Sequence, residues 1–421
     1  MSSDAPQPGL ARRLGTGDAV VIGLGSMIGA GVFAAFGPAA KAAGSGLMIG
    51  LVLAAAIAYC NAVASAQLAA AHPTSGGTYA YGRERLGPWW GFAAGWGFVI
   101  GKTASCAAMA LTVATYAVPG PGWLQKIVAI AAVLALAALN YRGVTKTAVL
   151  TRVLVALSLI ALAVVVVGIF ASGVHVDRLG GWGALTSSGP YGILQAAGLL
   201  FFAFAGYARI ATLGEEVRDP RRTIPRAIPL ALGITVIVYA VVGLAVLTAF
   251  GPDRLAAATA PLTEALQATG AGALAPVVRI GGVVAGLGAL LTLIAGIGRT
   301  SLAMARNRDL PGWLAAVHPR YRVPHHAELV LAVVVCALVA TTDLRGVIGF
   351  SSFGVLVYYA IANASAWTQP AAQRRWPRWL NAAGLVGCLV LVATLPWQSA
   401  LAGATVFAVG LTARAVVLAR R

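Results

Sequence analysis

Gly23-Leu24-Gly25-Ser26-Met27-Ile28-Gly29-Ala30-Gly31-Val32-Phe33 lies inside the first long apolar run, residues 18–43. That run is long enough to cross a bilayer as a helix, which takes about 20 residues. Glycine inside a helix costs about 1 kcal/mol relative to alanine, and this stretch contains four. Irregular backbone at membrane depth persists only where it is buried in protein or lines a cavity. We therefore predict a break in this helix that exposes backbone donors and acceptors to a small charged solute.

Close helix packing is the alternative explanation for these glycines. Gly25 and Gly29 form a small-xxx-small pair, a spacing that lets two membrane helices approach each other closely. Packing does not account for Gly23 and Gly31 as well, so we favour the break.

The composition indicates a helical protein that crosses the cell membrane many times. The 421-residue chain is 59% apolar and 10% charged, with a mean hydropathy of +0.84, whereas soluble domains carry about 25% charged residues. Its net charge of +18 comes mainly from Lys and Arg in short loops between apolar runs. This distribution follows the positive-inside rule and predicts cytoplasmic N- and C-termini. Because the charge reflects topology, we expect a lipid bilayer and no nucleic acid as partner.

Twelve apolar runs have the length that a membrane helix requires. They are residues 18–43, 46–71, 88–117, 124–141, 147–172, 189–213, 226–250, 275–304, 327–342, 346–367, 379–396 and 398–417. The predicted fold class is therefore all-α integral membrane. Pro220 and Pro225 are expected to end any helix between the sixth and seventh runs, because proline lacks the backbone donor.

Lys102 lies deep in the third run, about 20 Å along a helix from Pro88. A charged side chain at that depth costs about 3 kcal/mol. One explanation is structural, an ion pair or a hydrogen bond to the carbonyls of a broken helix. The other is a fixed cation near a transport path, and the sequence leaves both open.

Five motifs, in chain order, resemble the amino acid–polyamine–organocation (APC) permeases. They are residues 25–33, the loop Pro73-Thr74-Ser75-Gly76-Gly77-Thr78-Tyr79-Ala80-Tyr81, residues 202–207, and the loops 216–225 and 304–311. The resemblance covers the chain from about Leu14 onward. It implies twelve transmembrane helices, a 5+5 inverted repeat with discontinuous helices 1 and 6, and two C-terminal helices. The implied segments are 1–15, a cytoplasmic N-terminal segment; 16–172, the first repeat; 173–188, an external loop; 189–367, the second repeat; and 368–421, the last two helices with the C-terminus.

Inverted repeats place a solute at the membrane midplane between two interrupted helices. The resemblance implies that these interruptions lie near residues 25–31 in the first span and 202–206 in the sixth. Free N–H groups at half-helix N-termini suit a carboxylate, and carbonyls at half-helix C-termini suit an ammonium. An α-amino acid carries both charges on one carbon, so two broken helices can hold it with backbone groups alone.

The resemblance also implies which residues hold the substrate. It matches the carboxylate to Met27 and the segment 29–31, and the ammonium to carbonyls near Gly23 and in the segment 202–205. The candidate binding residues are Gly23, Ser26, Met27, Ile28, Gly29, Ala30, Gly31, Phe202, Ala203, Phe204 and Ala205. Phe202 or Phe204 is expected to close the site, although phenylalanine is also a common apolar packing residue in membrane helices.

The coupling ion stays open between H+, Na+ and none. Many family members have an acid where this chain has Ala208, and some have a lysine in the fifth span, where residues 155–160 contain none. Sodium-coupled relatives use hydroxyls near the positions of Ser158 and Thr292, but a lone hydroxyl more often bonds its own helix. Lys102 could supply the missing positive charge.

We expect a secondary transporter of an amino acid, without a cofactor and as a monomer or homodimer. A neutral substrate is favoured because no acidic side chain lies in a span where it could bind a cationic one; a cationic amino acid or a polyamine is the alternative. A channel would show polar rings repeated along a pore, which this sequence does not show, and two glycine-broken spans argue against a receptor. An enzyme would need convergent catalytic groups, and the adjacent His325 and His326 lack further metal ligands.

Overall fold

The computed structural model describes residues 14–72, 76–143, 148–173, 175–214 and 216–419. Residues 1–13 of the expected N-terminal segment and residues 73–75 of the loop motif lie outside this part of the chain. The described residues are almost all helical, with an isolated β-bridge between Leu14 and Val217. The α-helices are α1 Thr16–Met27, α2 Ala30–Ala34, α3 Phe36–Ala43, α4 Leu47–Ala71, α5 Gly77–Arg85, α6 Pro88–Ala117, α7 Gly122–Tyr141, α8 Ala148–Ala171, α9 Gly181–Thr186, α10 Gly189–Phe204, α11 Ala208–Ala211, α12 Pro220–Ala257, α13 Pro261–Ala268, α14 Ala275–Arg306, α15 His325–Thr341, α16 Leu344–Trp367, α17 Arg378–Thr394 and α18 Trp397–Ala419.

Long apolar helices dominate this fold. Within the described ranges, ten helical stretches are long and apolar enough to cross a membrane. The shorter apolar helices α15 and α17 have 17 residues each and coincide with two further expected spans. An all-helical chain of this kind is an integral membrane protein, as the composition predicted.

The first membrane-crossing stretch is interrupted between α1 and α2. α1 ends at Met27, and Ile28 leaves the helical region with φ −80° and ψ 51°. Gly29 follows with φ −98° and ψ −146°, and α2 begins at Ala30. The interruption lies inside the predicted 25–31 segment but is narrower, because Gly25 is still helical and packs closely against Val155 of α8.

The sixth stretch is interrupted less completely. α10 continues through Phe204, a 3₁₀ turn covers Ala205–Tyr207, and α11 begins at Ala208. The expected interruption at 202–206 therefore starts three residues later than predicted. A 3₁₀ turn keeps i→i+3 bonds while it loses the α-helical ones, so the chain tightens here rather than unwinding.

The prediction that Pro220 and Pro225 end any helix was wrong. α12 begins at Pro220 and includes Pro225, and the Asp219 side chain accepts from the Arg222 amide at 3.3 Å. Pro220 fits the first turn of the helix, where its missing N–H would have no helical partner. Pro225 is the sixth residue of α12, so it leaves one helical carbonyl without its usual donor, and the helix continues through it.

α6 and α16 pack closely through glycines. A Cβ on Gly354 would lie 2.6 Å from the carbonyl oxygen of Gly97 and 2.8 Å from the Cα of Gly101. Small residues of this kind let two membrane helices bring their backbones together. The pair fixes α6, and therefore Lys102, relative to α16.

We expect Gly354→Ala to lower the free energy of unfolding by about 2 kcal/mol, because the added methyl group meets backbone atoms that cannot move independently. Thermal unfolding of the purified protein in detergent measures the change. Gly233→Ala in α12 is the matched control, since its Cβ would have open space around it; it should be neutral or slightly stabilising. Equal effects of the two variants would contradict this account of the packing.

Candidate substrate-binding site

The two interruptions lie against each other. A Cβ on Gly206 would overlap the Ser26 carbonyl group, and one on Gly31 would lie 2.8 Å from the Cα of Ala203. Glycine is therefore required at both positions for a close approach of two backbones. The broken segments of the first and sixth spans form one unit.

Tyr239 of α12 joins the two interruptions. Its hydroxyl lies 2.5 Å from the Met27 carbonyl oxygen and 3.1 Å from that of Ala203, so its one proton is shared between the two broken segments. The side chain is 1% exposed. A buried carbonyl without a partner is costly, and this tyrosine satisfies carbonyls on both sides.

The Ala205 carbonyl, in the 3₁₀ turn, accepts from two other helices. The Lys102 ammonium donates to it at 3.1 Å and the Tyr359 hydroxyl at 3.3 Å. Lys102 is 7% exposed, and among the described residues no carboxylate forms an ion pair with it. The structural explanation for Lys102, a hydrogen bond to a carbonyl of a broken helix, is present. Lys102 also lines a cavity, so a position near a transport path remains compatible with the structure.

This cavity has a volume of about 460 Å³ and begins at the interruptions. It extends past Lys102 to Arg299 of α14 and Tyr79 of α5, at the face where α4 ends. Within the described part of the chain, its remaining charged lining consists of Arg209 and Glu216. The volume is in the range that holds small-molecule ligands, and the positive groups outnumber the negative one.

The cavity brings together many of the predicted residues. Those that line it are Ser26, Met27, Gly31, Phe202, Ala203, Ala205, Lys102 and Thr292. Three others pack elsewhere: Gly23 against Ile210, Gly29 against Ala289, and Phe204 against the Tyr239 ring at 5.1 Å between centroids. Of the two candidate aromatics, only Phe202 reaches the cavity. Ala30 begins α2.

Ser158 and Thr292 line a second, smaller cavity of about 210 Å³, together with Ile28 and Ser26. The Ser158 hydroxyl donates to the Leu154 carbonyl at 2.8 Å, and the Thr292 hydroxyl donates to that of Gly288 at 3.0 Å. Both hydroxyls therefore bond their own helix one turn back, and each oxygen keeps lone pairs that can contact a cation.

Sequence reasoning missed the residues that cap the interruptions. Tyr239 and Tyr359 donate to carbonyls there, and Arg209 lines the cavity. Each is a polar or charged residue inside a long apolar run, which is a signal that the sequence contained. Which of the many tyrosines reaches a broken helix depends on helix packing.

Comparison with known proteins decides the family. The model of the amino acid permease family matches residues 14–412. The chain belongs to that family, within the APC superfamily. An uncharacterized transporter of Mycobacterium tuberculosis is 61% identical to this permease, over 98% of this chain and 93% of its own length.

Two more distant relatives carry substrate names. The branched-chain amino acid permease of Bacillus subtilis is 27% identical, over 94% of this chain and 91% of its own length. Cationic amino acid transporter 7, chloroplastic, of Arabidopsis thaliana is 27% identical, over 92% of this chain and 70% of its own length. The permease is thus a transporter whose relatives differ in named substrate.

Tyr79, which lines the permease cavity, belongs to an ionic cluster. The Asp309 carboxylate accepts from the Tyr79 hydroxyl at 2.8 Å and from Arg83 at 3.2 Å, and it pairs with Arg414 of α18 at 2.7 Å. The Asp309 side chain is only 4% exposed. The cluster therefore connects α5, the segment after α14 and α18 beside the cavity.

We expect Tyr239→Phe to destabilise the permease by about 2 kcal/mol, because the carbonyls of Met27 and Ala203 lose their shared donor while the ring remains. Thermal unfolding in detergent measures this loss. Tyr191→Phe, at an exposed tyrosine, is the control and should change little. An unaltered unfolding temperature for Tyr239→Phe would show that the interruptions do not need this hydroxyl.

The pH dependence of the cluster follows from Tyr79. Burial, followed by the hydrogen bond to Asp309, raises the pKa of Tyr79 to about 12, whereas an unperturbed tyrosine has a pKa of about 10. Because the folded state holds this proton more tightly, the stabilisation is present below pH ~10 and is lost as the pH rises toward 12.

We therefore expect Tyr79→Phe to be about 1 kcal/mol less stable than the wild type at pH 8, from the lost hydrogen bond. The difference should stay constant between pH 7 and 9 and shrink above pH ~10. Thermal unfolding at several pH values tests this, with the exposed Tyr59→Phe as control. A difference that already changes between pH 7 and 9 would contradict the assignment.

Proposed function

We propose that the permease moves a neutral amino acid across the cytoplasmic membrane by alternating access, holding it between its two interrupted helices. One observation carries this proposal: the interruptions of the first and sixth spans touch each other and line a cavity of about 460 Å³. A channel or a receptor gives no reason for two such interruptions in contact.

The chemistry of the cavity end suits a zwitterion. The segment after Met27 leaves the helical ladder and presents amides near Gly29 and Gly31, while the 3₁₀ turn presents the Ala205 carbonyl. Amides suit a carboxylate and carbonyls suit an ammonium. Phe202 is the aromatic that covers the bound substrate.

We propose that the fold is a twelve-span 5+5 inverted repeat, with residues 16–172 and 189–367 as the repeats and the last two spans in 368–421. The two interruptions support it, because they fall in the first and sixth spans, the matching positions of such repeats. The excess of basic residues in loops on one side supports cytoplasmic N- and C-termini.

The charge of the cavity favours a neutral substrate over a cationic one. Among the described residues, Lys102, Arg209 and Arg299 line it against the acid Glu216. A cationic side chain or a polyamine would meet this excess positive charge, and a polyamine also lacks the carboxylate that the broken first span suits. The named substrate of the B. subtilis relative makes L-leucine a reasonable first probe.

Three couplings are compatible with this site: a proton, sodium at the cavity lined by Ser158 and Thr292, or plain exchange without an ion. We propose no cofactor for any of them, and either a monomer or a homodimer as the working unit. Uptake with sodium replaced by choline, and again with the proton gradient collapsed, separates the three.

Counterflow in proteoliposomes tests the proposed function. Vesicles loaded with unlabelled L-leucine should take up labelled L-leucine, and a panel of neutral amino acids should compete better than arginine or putrescine. Phe202→Ala should weaken the apparent affinity for leucine about tenfold, because the substrate loses an apolar cover worth about 1.4 kcal/mol. Phe350→Ala is the matched control, since Phe350 lines a different apolar hollow.

Absence of counterflow with every amino acid of the panel would contradict transport of an amino acid. Preference for arginine or putrescine over leucine would instead support the cationic alternative.

A further inference from the structure

The carbonyls at the interruptions are occupied by the permease's own donors. Those of Met27 and Ala203 face the neutral hydroxyl of Tyr239. That of Ala205 faces the ammonium of Lys102 at 3.1 Å. One acceptor suited to the ammonium of a substrate is therefore taken by an ammonium that belongs to the protein.

Among the described residues, Lys102 is held by its hydrogen bond to that carbonyl and not by an ion pair with a carboxylate. Its helix α6 is packed against α14 and α16, and no carboxylate pairs with it in the described part of the chain. The titratable groups that face it or share its cavity are Cys106 on its own helix, Tyr359 of α16, Tyr79 of α5, Arg209, Glu216 and Arg299. Four of these are cations or neutral phenols and, within the described residues, Glu216 is the acid among them, so a second ammonium finds little compensating charge in the cavity.

Two ammonium groups cannot share the Ala205 carbonyl at low cost. Two unit charges this close repel each other strongly, even where the surroundings screen them as they do near a protein surface. The α-ammonium of an amino acid remains charged because its carboxylate enters with it. The Lys102 side chain has no such companion, so it is the group that gives up its proton.

We infer that binding of the substrate's ammonium at the Ala205 carbonyl displaces Lys102 as a neutral amine and releases one proton to the water of the cavity. This inference rests on the proposed transport of a zwitterion. The balance is simple: the Lys102 ammonium loses H+, the incoming ammonium takes over the hydrogen bond, and no covalent bond forms or breaks. When the substrate leaves, Lys102 takes a proton from the same side and returns to Ala205.

The consequence is exchange of a substrate for a proton. The loaded carrier crosses with a neutral lysine and the empty carrier crosses with a charged one, so substrate and proton move in opposite directions. Symport would require the loaded carrier to hold the additional proton. The direction of the pH gradient that drives uptake therefore distinguishes the two.

The test uses the full-length permease in proteoliposomes with the membrane potential clamped at zero by potassium and valinomycin. With L-leucine as the probe, an acid interior should drive accumulation of about tenfold per pH unit, the limit for one proton exchanged per substrate. An acid exterior should drive loss of leucine from loaded vesicles. In addition, titration of the detergent-solubilised wild type with leucine in two buffers of different ionisation enthalpy should show release of up to one proton per leucine bound.

Two substitutions of Lys102 sharpen this test. Lys102→Met has no proton to release. Leucine should therefore equilibrate across the membrane without accumulation in either pH gradient, whatever the transport rate of this variant. Lys102→Arg keeps a permanent charge, because a guanidinium does not deprotonate in proteins, and should bind leucine at least tenfold more weakly with no release of a proton. Lys126→Met is the matched control: Lys126 also donates to a backbone carbonyl, that of Ala340 at 2.7 Å, but at an exposed position away from the cavity.

Accumulation driven by an acid exterior, binding of leucine without release of a proton, or an unchanged gradient response in Lys102→Met would each overturn the inference while leaving transport intact. Absence of leucine counterflow and binding would overturn the proposed function for this substrate, and the inference with it. The proton-release measurement needs only the wild type. It therefore tests the inference even if a Lys102 variant fails to fold.

Discussion

A backbone carbonyl or amide in the interior of a membrane has no water to bond, and this constraint governs the permease. Each interruption of a helix frees such groups, and each freed carbonyl described above has a donor from another helix. Tyr239 serves Met27 and Ala203, while Lys102 and Tyr359 serve Ala205. The interruptions are thus supported by α6, α12 and α16, which hold them in place around the cavity.

The same constraint links packing to chemistry. The carbonyls that need a donor when the site is empty are acceptors that a substrate ammonium can use, so the empty and the loaded states compete for the same atoms. A hydroxyl can yield its place without any change in charge, whereas Lys102 can yield only by moving its charge or losing it. The close packing of α6 on α16 through Gly101 and Gly354 fixes the lysine within reach.

Much of the architecture could be predicted from the sequence, because composition and the length of apolar runs respond directly to the bilayer. The helical membrane fold, the glycine-rich interruption of the first span and the depth of Lys102 all followed from such local properties. The proline segment at Pro220 was misjudged, since the same residue that ends one helix can begin the next. The interruption of the sixth span was placed three residues early, because nothing in its apolar sequence marks where a 3₁₀ turn replaces the α-helix.

The sequence by itself determined that the chain crosses a membrane as helices, that the first of them is interrupted, and that a lysine lies deep within the third. Only the tertiary structure decided that Lys102 bonds Ala205, that Phe202 rather than Phe204 faces the cavity, and that Tyr239 joins both interruptions. The physical reason is that apolar helices carry little directional information on their surfaces. Their rotation and contacts are set by close packing among many neighbours, which no single stretch of sequence contains.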